Sequence, residues 1–413
     1  MKYKAMTLLC CAAVLFAASY TCAKDLVYPT TCYQGEELQQ LRAWEKKWAG
    51  QKISSANVDE VKEFVPESLY NLMKDTERYG DSWFTVAPYR EIEPSPGKVE
   101  YTKKYYGQPR VGENREILNW VAGVPFPNTT DGTEMAHNFR CRNYGDGYVS
   151  QEKGFIIDGR LKYDMDILIK NTMNFFSGRT DTPPVPEYPE NPKNIWRAFQ
   201  MLQLAPPETR NMRIMEITYK DRMKPYDSWF WMPSIRRIRR RSTTERQDAQ
   251  GGADFCGFDN LGWDGPIQIN TYKYLGQKDL LLVRHNDTDK LEHTPGDCLW
   301  DGALRERIKS HAIEVQNTDP NFLYTKMIWY LDPETWFLLY SDRYDRRGNL
   351  WKVMDQFGFV GKGHNGVPVG HFNANQVIDV QRIHSTQGFS TYEFGKEFPA
   401  RTFTLQYLQK RSY

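Results

Sequence analysis

The segment NFLYTKMIWYLDPETWFLLYSDRYDRRGNLWKVMDQF, residues 321–357, restricts the fold more than any other part of the chain. It reads as a strand over 322–331, a turn at Asp332, Pro333 and Glu334, a strand over 336–341, a turn around Arg347, Gly348 and Asn349, and a third strand from Leu350. Turns of a few residues leave no room for the crossover that parallel neighbours need, so these runs pair as consecutive antiparallel hairpins.

The same texture runs from Trp83 onward. YVSQEKGFIIDGRLKYDMDILI, MRIMEITYKDR, IQINTYKYLG and DLLLVRH are strand-length segments bounded by Gly, Pro, Asn and Asp. Aromatic residues make up 14% of the chain, and such rings suit a pleated, half-buried surface, which favours an extended sheet covering something apolar. Only the beginning is helical. EELQQLRAWEKKW places Leu38, Leu41, Trp44 and Trp48 on one face, and NVDEVKEFVPESLYNLMKD repeats the spacing with Val58, Val61, Phe64, Leu69 and Leu72, Asn57 as a cap and Pro66 as a break. The expected class is α+β, mainly antiparallel β, with an N-terminal helical extension over 36–75. The Pro-rich stretch RTDTPPVPEYPENPKN, 179–194, either separates two domains or loops over one continuous sheet; strand-like material on both sides favours a single domain over 24–413.

The first 23 residues carry two lysines, an apolar run from Ala5 to about Ala18, and small residues ending at Ala23, the pattern of a cleavable export signal. The run is short for a membrane span, and Ser19 stands where a lipid-attachment site at Cys22 would have a leucine-like residue. Cleavage removes Cys10, Cys11 and Cys22 and leaves Cys32, Cys141, Cys256 and Cys298. An even number in an oxidising compartment allows up to two disulfides, with Cys256 to Cys298 and Cys32 to Cys141 suggested by proximity and free buried thiols as the alternative.

A search for reactive motifs gives little. There is no Gly-x-Ser-x-Gly elbow, no phosphate-cradling glycine loop, and no metal-ligand spacing; His311 with Glu314, and His364 with His371 in GHNGVPVGHF, match no standard site. No metal, no cofactor and no catalytic residue is expected. Lysine and arginine, 54 together, nearly balance 52 acidic residues, so no global field marks the chain for nucleic acid.

DSWFWMPSIRRIRRRSTTE, 227–245, joins the most apolar run to the most basic one. On a strand Trp229 and Trp231 face one way, Phe230 and Met232 the other, so both faces are apolar. Beyond Pro233, Arg236, Arg237, Arg239 and Arg240 offer guanidinium groups suited to an anionic head or a partner surface.

The ordered set LQLAPPETRN, DSWFWMPSIRRIRRRS, TYKYLGQKD and YTKMIWYLDPETWFLLYSDRYDRRGNLWKV, preceded by GVPFPNTTDGTEMAHNFRCR at 123–142, resembles the exported bacterial proteins of domain-of-unknown-function family 1329. The chain departs from that pattern at Arg241 and Ser242, where the family has Ala-Pro. The resemblance implies a fold like the LolA and LolB lipoprotein carriers, a strongly curved half-barrel sheet with helices packed on the concave side. It implies a periplasmic protein, with outer-membrane association as an option, working with a resistance-nodulation-division (RND) exporter and an outer-membrane protein. On the matched strands, Trp229, Trp231, Met327, Trp329, Trp336, Leu338 and Trp351 become candidate lining residues of an apolar cavity. The function these readings favour is a carrier for a lipid or other hydrophobic amphiphile, with transient membrane contact. The alternatives are a non-binding structural adaptor of an export complex, or a hydrolase acting on lipid or sugar.

Overall fold

The computed structural model describes residues 26–221, 224–242 and 244–409; the expected signal over 1–23 lies outside them. Alternating segments become strands β1 (Lys52–Ile53), β2 (Phe84–Ala87), β3 (Arg110–Val111), β4 (Ile117–Leu118), β5 (Gly147–Ile157), β6 (Tyr163–Phe175), β7 (Ile195–Ala205), β8 (Arg213–Tyr219) and β9 (Asp227–Met232). They continue with β10 (Arg237–Arg240), β11 (Asn270–Val283), β12 (Ala303–Asn317), β13 (Lys326–Leu331), β14 (Leu338–Tyr344), β15 (Leu350–Lys362), β16 (Pro368–Asp379) and β17 (His384–Phe394). All but β3 and β4 join one 15-stranded sheet, in which β12 through β17 lead to β5 and on through β10. Its pairs are antiparallel except β2 against β12. The terminal strands β10 and β11 do not pair with each other, so the sheet is open, consistent with a curved half-barrel.

The hairpins expected over 321–357 form β13, β14 and β15, with two differences. Phe322 and Tyr324 are buried but precede β13. Trp336 lies in the turn and not on a strand: Asp332 N–H donates to the Phe337 carbonyl, the Trp336 N–H returns to the Asp332 carbonyl at 2.8 Å, and Trp336 takes a φ of +59°. That left-handed backbone is uncommon for so bulky a residue and is held here by burial of its ring. The Pro-rich stretch over 179–194 connects β6 to β7, which are paired neighbours.

Six helices decorate the sheet: α1 (Gly35–Trp48), α2 (Glu67–Lys74), α3 (Thr76–Tyr79), α4 (Pro96–Tyr105), α5 (Gly132–Arg140) and α6 (Leu405–Leu408) among the described residues. Val58–Phe64 is a 3-10 helix ending at Pro66, as the spacing suggested, but Asn57 accepts the Ser54 N–H instead of capping it. Leu41, Val58, Val61, Phe64, Leu69 and Leu72 pack against Leu281, Ile308, Leu339, Tyr340 and Phe357 on one face of the sheet. On the other face, α5, started by the Asp131 carboxylate accepting from Thr133 and Glu134 N–H, sets Met135, Ala136 and Phe139 against Met327, Trp329 and Leu338. We call this the inner face. Among the described residues no helix is long and apolar enough to cross a membrane.

Candidate functional site

From β12 to β15 the inner face is filled. Phe258 and Trp263 from the segment before β11 join α5 over Trp329, with Phe139 and Trp263 centroids 5.2 and 6.2 Å from the Trp329 ring. From β6 to β10 it is not. There the register sets Asn171 beside Met201, Met201 beside Ile214, Ile214 beside Phe230 and Phe230 beside Arg239, one row across five strands. Strand side chains alternate between faces, so Met165, Ile167 and Ile169 extend this surface along β6. The segment 245–255, with Gln250, Gly251 and Phe255, roofs it in part without filling it, and the half-open hollow measures about 670 Å³. That is within the roughly 300–1,000 Å³ of small-molecule sites. Its walls are methionine, isoleucine and phenylalanine, with Glu208, Arg239, Arg241, Glu245 and Asp248 at the rim.

Further along the same strands the surface turns polar. Ile169, Met201, Ile214, Arg241, Gln250 and Phe255 also border a second space of about 100 Å³, reached by Glu152, Asn171, Arg197 and Glu216. Behind it lies a buried ion cluster. Asp264 receives Arg140 at 3.1 Å, Arg246 at 3.1 Å and Arg197 more closely, while Arg246 also faces Glu216 at 3.6 Å. Burial alone would push the Asp264 carboxyl up, but Arg197, Arg140 and Arg246 together hold it below the usual range. Glu152 has no such help: desolvation pushes its pKa up to about 7 against hydrogen bonds from Asn171 at 2.6 Å and Ser150 at 3.5 Å.

The residues singled out in the sequence are distributed as follows. Met327, Trp329, Trp336 and Leu338 are 0–2% exposed in the packed core under α5, and Trp351 lies at its margin, donating to Asp379 at 2.9 Å. Trp229 and Trp231 share a strand face with each other, across from Met215 and Arg213, opposite to Phe230; Trp229 and Phe403 of the C-terminal segment both pack against the cluster of Ala198, Ile217 and Tyr219. None of these seven lines the hollow. Arg236 is in the β9–β10 turn, Arg237, Arg239 and Arg240 form the edge strand β10, and Arg239 alone of the four reaches the rim. Arg240 pairs with Asp227, and Arg239 approaches Glu245 at 4.0 Å. The hollow's own residues were visible only as the alternation in YDMDILI and MRIMEITY.

Cys32, Cys141, Cys256 and Cys298 are buried free thiols, with Cys256 and Cys298 in different apolar clusters. Cys32, Asp332 and Glu334 converge closely enough to suggest a cation site, but Arg284 already sits among the carboxylates, bonded to Glu334 and 3.3 Å from Asp332. His311 stacks on Trp336 with centroids 5.3 Å apart, and His371, ringed by Tyr148, Tyr392 and Phe394, is pushed down to about 3 by burial. Both are packed as neutral rings.

Three comparisons bear on kinship. An uncharacterized protein of Pseudomonas aeruginosa is 22% identical over 321 residues, 73% of this chain and 68% of its own length. Two crystal structures are similar over part of the chain. One is a putative outer membrane lipoprotein-sorting protein domain from Vibrio parahaemolyticus, at 14% identity, TM-score 0.49, covering 68% of this chain and 98% of that one. The other is a DUF1329 family protein from Desulfovibrio piger, at 13% identity, TM-score 0.49, covering 67% and 96%. The family described as protein of unknown function (DUF1329) matches residues 52–409, nearly the whole described chain, and the protein belongs to it.

Proposed function

We propose that the protein binds and carries a lipid or other long-chain amphiphile, its chain lying in the hollow between β6–β10 and the 245–255 roof. The observation that carries this reading is the contrast within one sheet face: a volume of about 670 Å³, walled by Met165, Ile167, Met201, Ile214 and Phe230, stays open while the face over β12–β15 is packed solid. Each methylene moved from water into such a wall is worth about 0.8 kcal/mol, and methionine side chains adapt to chains of differing shape. What these walls offer is containment of an apolar chain, which favours carriage.

On this reading the exported chain from Lys24 works as one domain in the periplasm. The exposed arginines at the β9–β10 tip, Arg236 and Arg237, meet an anionic membrane or partner surface during transfer. The finer assignment, to a relay with an RND exporter and an outer-membrane protein, comes from the family resemblance. Native mass spectrometry of protein isolated from the exporting compartment, with extraction of whatever is bound, tests the reading. A chain-bearing molecule at one per protein is expected. Protein that emerges empty and also ignores fluorescent fatty-acid probes contradicts it.

A further inference from the structure

The polar end of the hollow is built in a way that containment of a chain does not require. Glu152 on β5 and Asn171 on β6 lie on the inner face where the apolar strip ends, and both border the 100 Å³ chamber. Asn171, 7% exposed, uses its Nδ2 on the Glu152 carboxylate at 2.6 Å, while its Oδ1 has no hydrogen-bond partner. A buried acceptor left unmade costs about 1–3 kcal/mol, and a carboxylate without a cation costs more. Of the arginines that line the chamber, Arg197 converges with Arg140 and Arg246 on Asp264, and Arg241 donates to the Glu245 carbonyl at 3.3 Å. The chamber thus presents two acceptors, one of them acidic, that neither Arg197 nor Arg241 completes. Its volume of about 100 Å³ suits a small head group.

Resting on the carrier reading, we propose that this chamber is a head-group subsite that takes a small protonated amine, the ammonium donating to the Glu152 carboxylate and the Asn171 Oδ1 while the attached chain runs back along Ile169, Ile167 and Met165. An ammonium brings three donors and the compensating charge. A carboxylate head could meet Arg241 or the unpartnered Arg197 Nε, but it would stand against Glu152 and leave both acceptors unmade. The other titratable or charged groups facing Glu152 across the chamber are Tyr148 on β5, Arg197 on β7, Glu216 on β8, and Arg241, Asp259 and Asp264 from the stretch between β10 and β11; Tyr392 on β17 also feels its charge. Desolvation of Glu152, which favours its neutral form, is relieved when the amine arrives.

The test compares decylamine, decanol and decanoate by competition against a fluorescent apolar probe at pH 7.5, in the wild-type protein and in Glu152→Gln. The amine is expected to bind at least about tenfold more tightly than the alcohol, the return for a hydrogen bond to a charged group. Glu152→Gln should erase that advantage, while an unchanged affinity for the apolar probe itself reports that the hollow is intact. Equal binding of all three heads, preference for decanoate, or an amine advantage that survives in Glu152→Gln overturns the head-group assignment while leaving the carrier reading standing. Failure of every chain to displace or bind overturns the carrier reading, and this inference with it.

Discussion

The inner face of one sheet is used in two ways. Between β12 and β15 it is a conventional interior, with Trp329 fully buried beneath Phe139 and Trp263. Between β6 and β10 the same face carries Met165, Ile167, Met201 and Ile214 under a thin roof that leaves about 670 Å³ open. Aromatic side chains are large and rigid and fill space to interior density; methionine and isoleucine of the open half leave room and adjust to what enters. The half with the most aromatic sequence is therefore the scaffold, and the plainer half carries the candidate site.

Truncations should separate the halves. Trp329→Ala removes a fully buried ring from the filled half and is expected to cost about 3–5 kcal/mol in denaturant unfolding; a loss below about 1 kcal/mol would mean that this half is not the load-carrying interior. Asp264→Asn, which strips the buried guanidinium groups of Arg140, Arg197 and Arg246 of their shared carboxylate, should cost about 3 kcal/mol by the same measurement. Ile167→Ala, on the partly exposed wall of the hollow, should cost less than about 1 kcal/mol while weakening chain binding. If it proves as damaging as Trp329→Ala, the hollow is closed in solution and the contrast fails.

The smallest effect is one of pH. Burial raises the Glu152 pKa from 4.5 to about 7 in the folded chain. The neutral acid therefore contributes stability that is fully present below about pH 4.5 and is lost as the pH rises through about 7. Since the residue keeps some contact with the hollow, the change should be on the order of 1–2 kcal/mol between those limits. It should be absent from Glu152→Gln and so appear as the difference between the two proteins, and an identical pH profile in both would contradict the placement of this carboxyl.

Much of the fold was legible because turn chemistry is local. Asp332 and Gly348 mark the hairpins of β13–β15 without reference to anything distant, and α1 declares itself through Leu38, Leu41, Trp44 and Trp48. The site was not legible, for a physical reason visible at β9. Trp229 and Trp231 face one way and Phe230 the other, both sides apolar, and nothing local says which is the inner one. That is decided by two remote segments: Phe403, near the C-terminus, packs on the Trp229 side, and 245–255 roofs the Phe230 side. Trp336 likewise reads as a strand residue until the Asp332 turn lengthens to include it. Arg237 to Arg240 form an edge strand, their charge discouraging pairing with another sheet, a role that the run of arginines did not disclose.

The most direct measurement of the central claim is titration of a fluorescent fatty-chain probe into the wild-type protein and into Ile167→Trp/Ile169→Trp, two ring additions that fill the hollow from its floor. One probe per wild-type protein is predicted, with binding at least about tenfold weaker in the double variant and an unfolding midpoint that does not fall. Undiminished binding in a folded double variant, or no saturable binding to the wild type, would contradict the account.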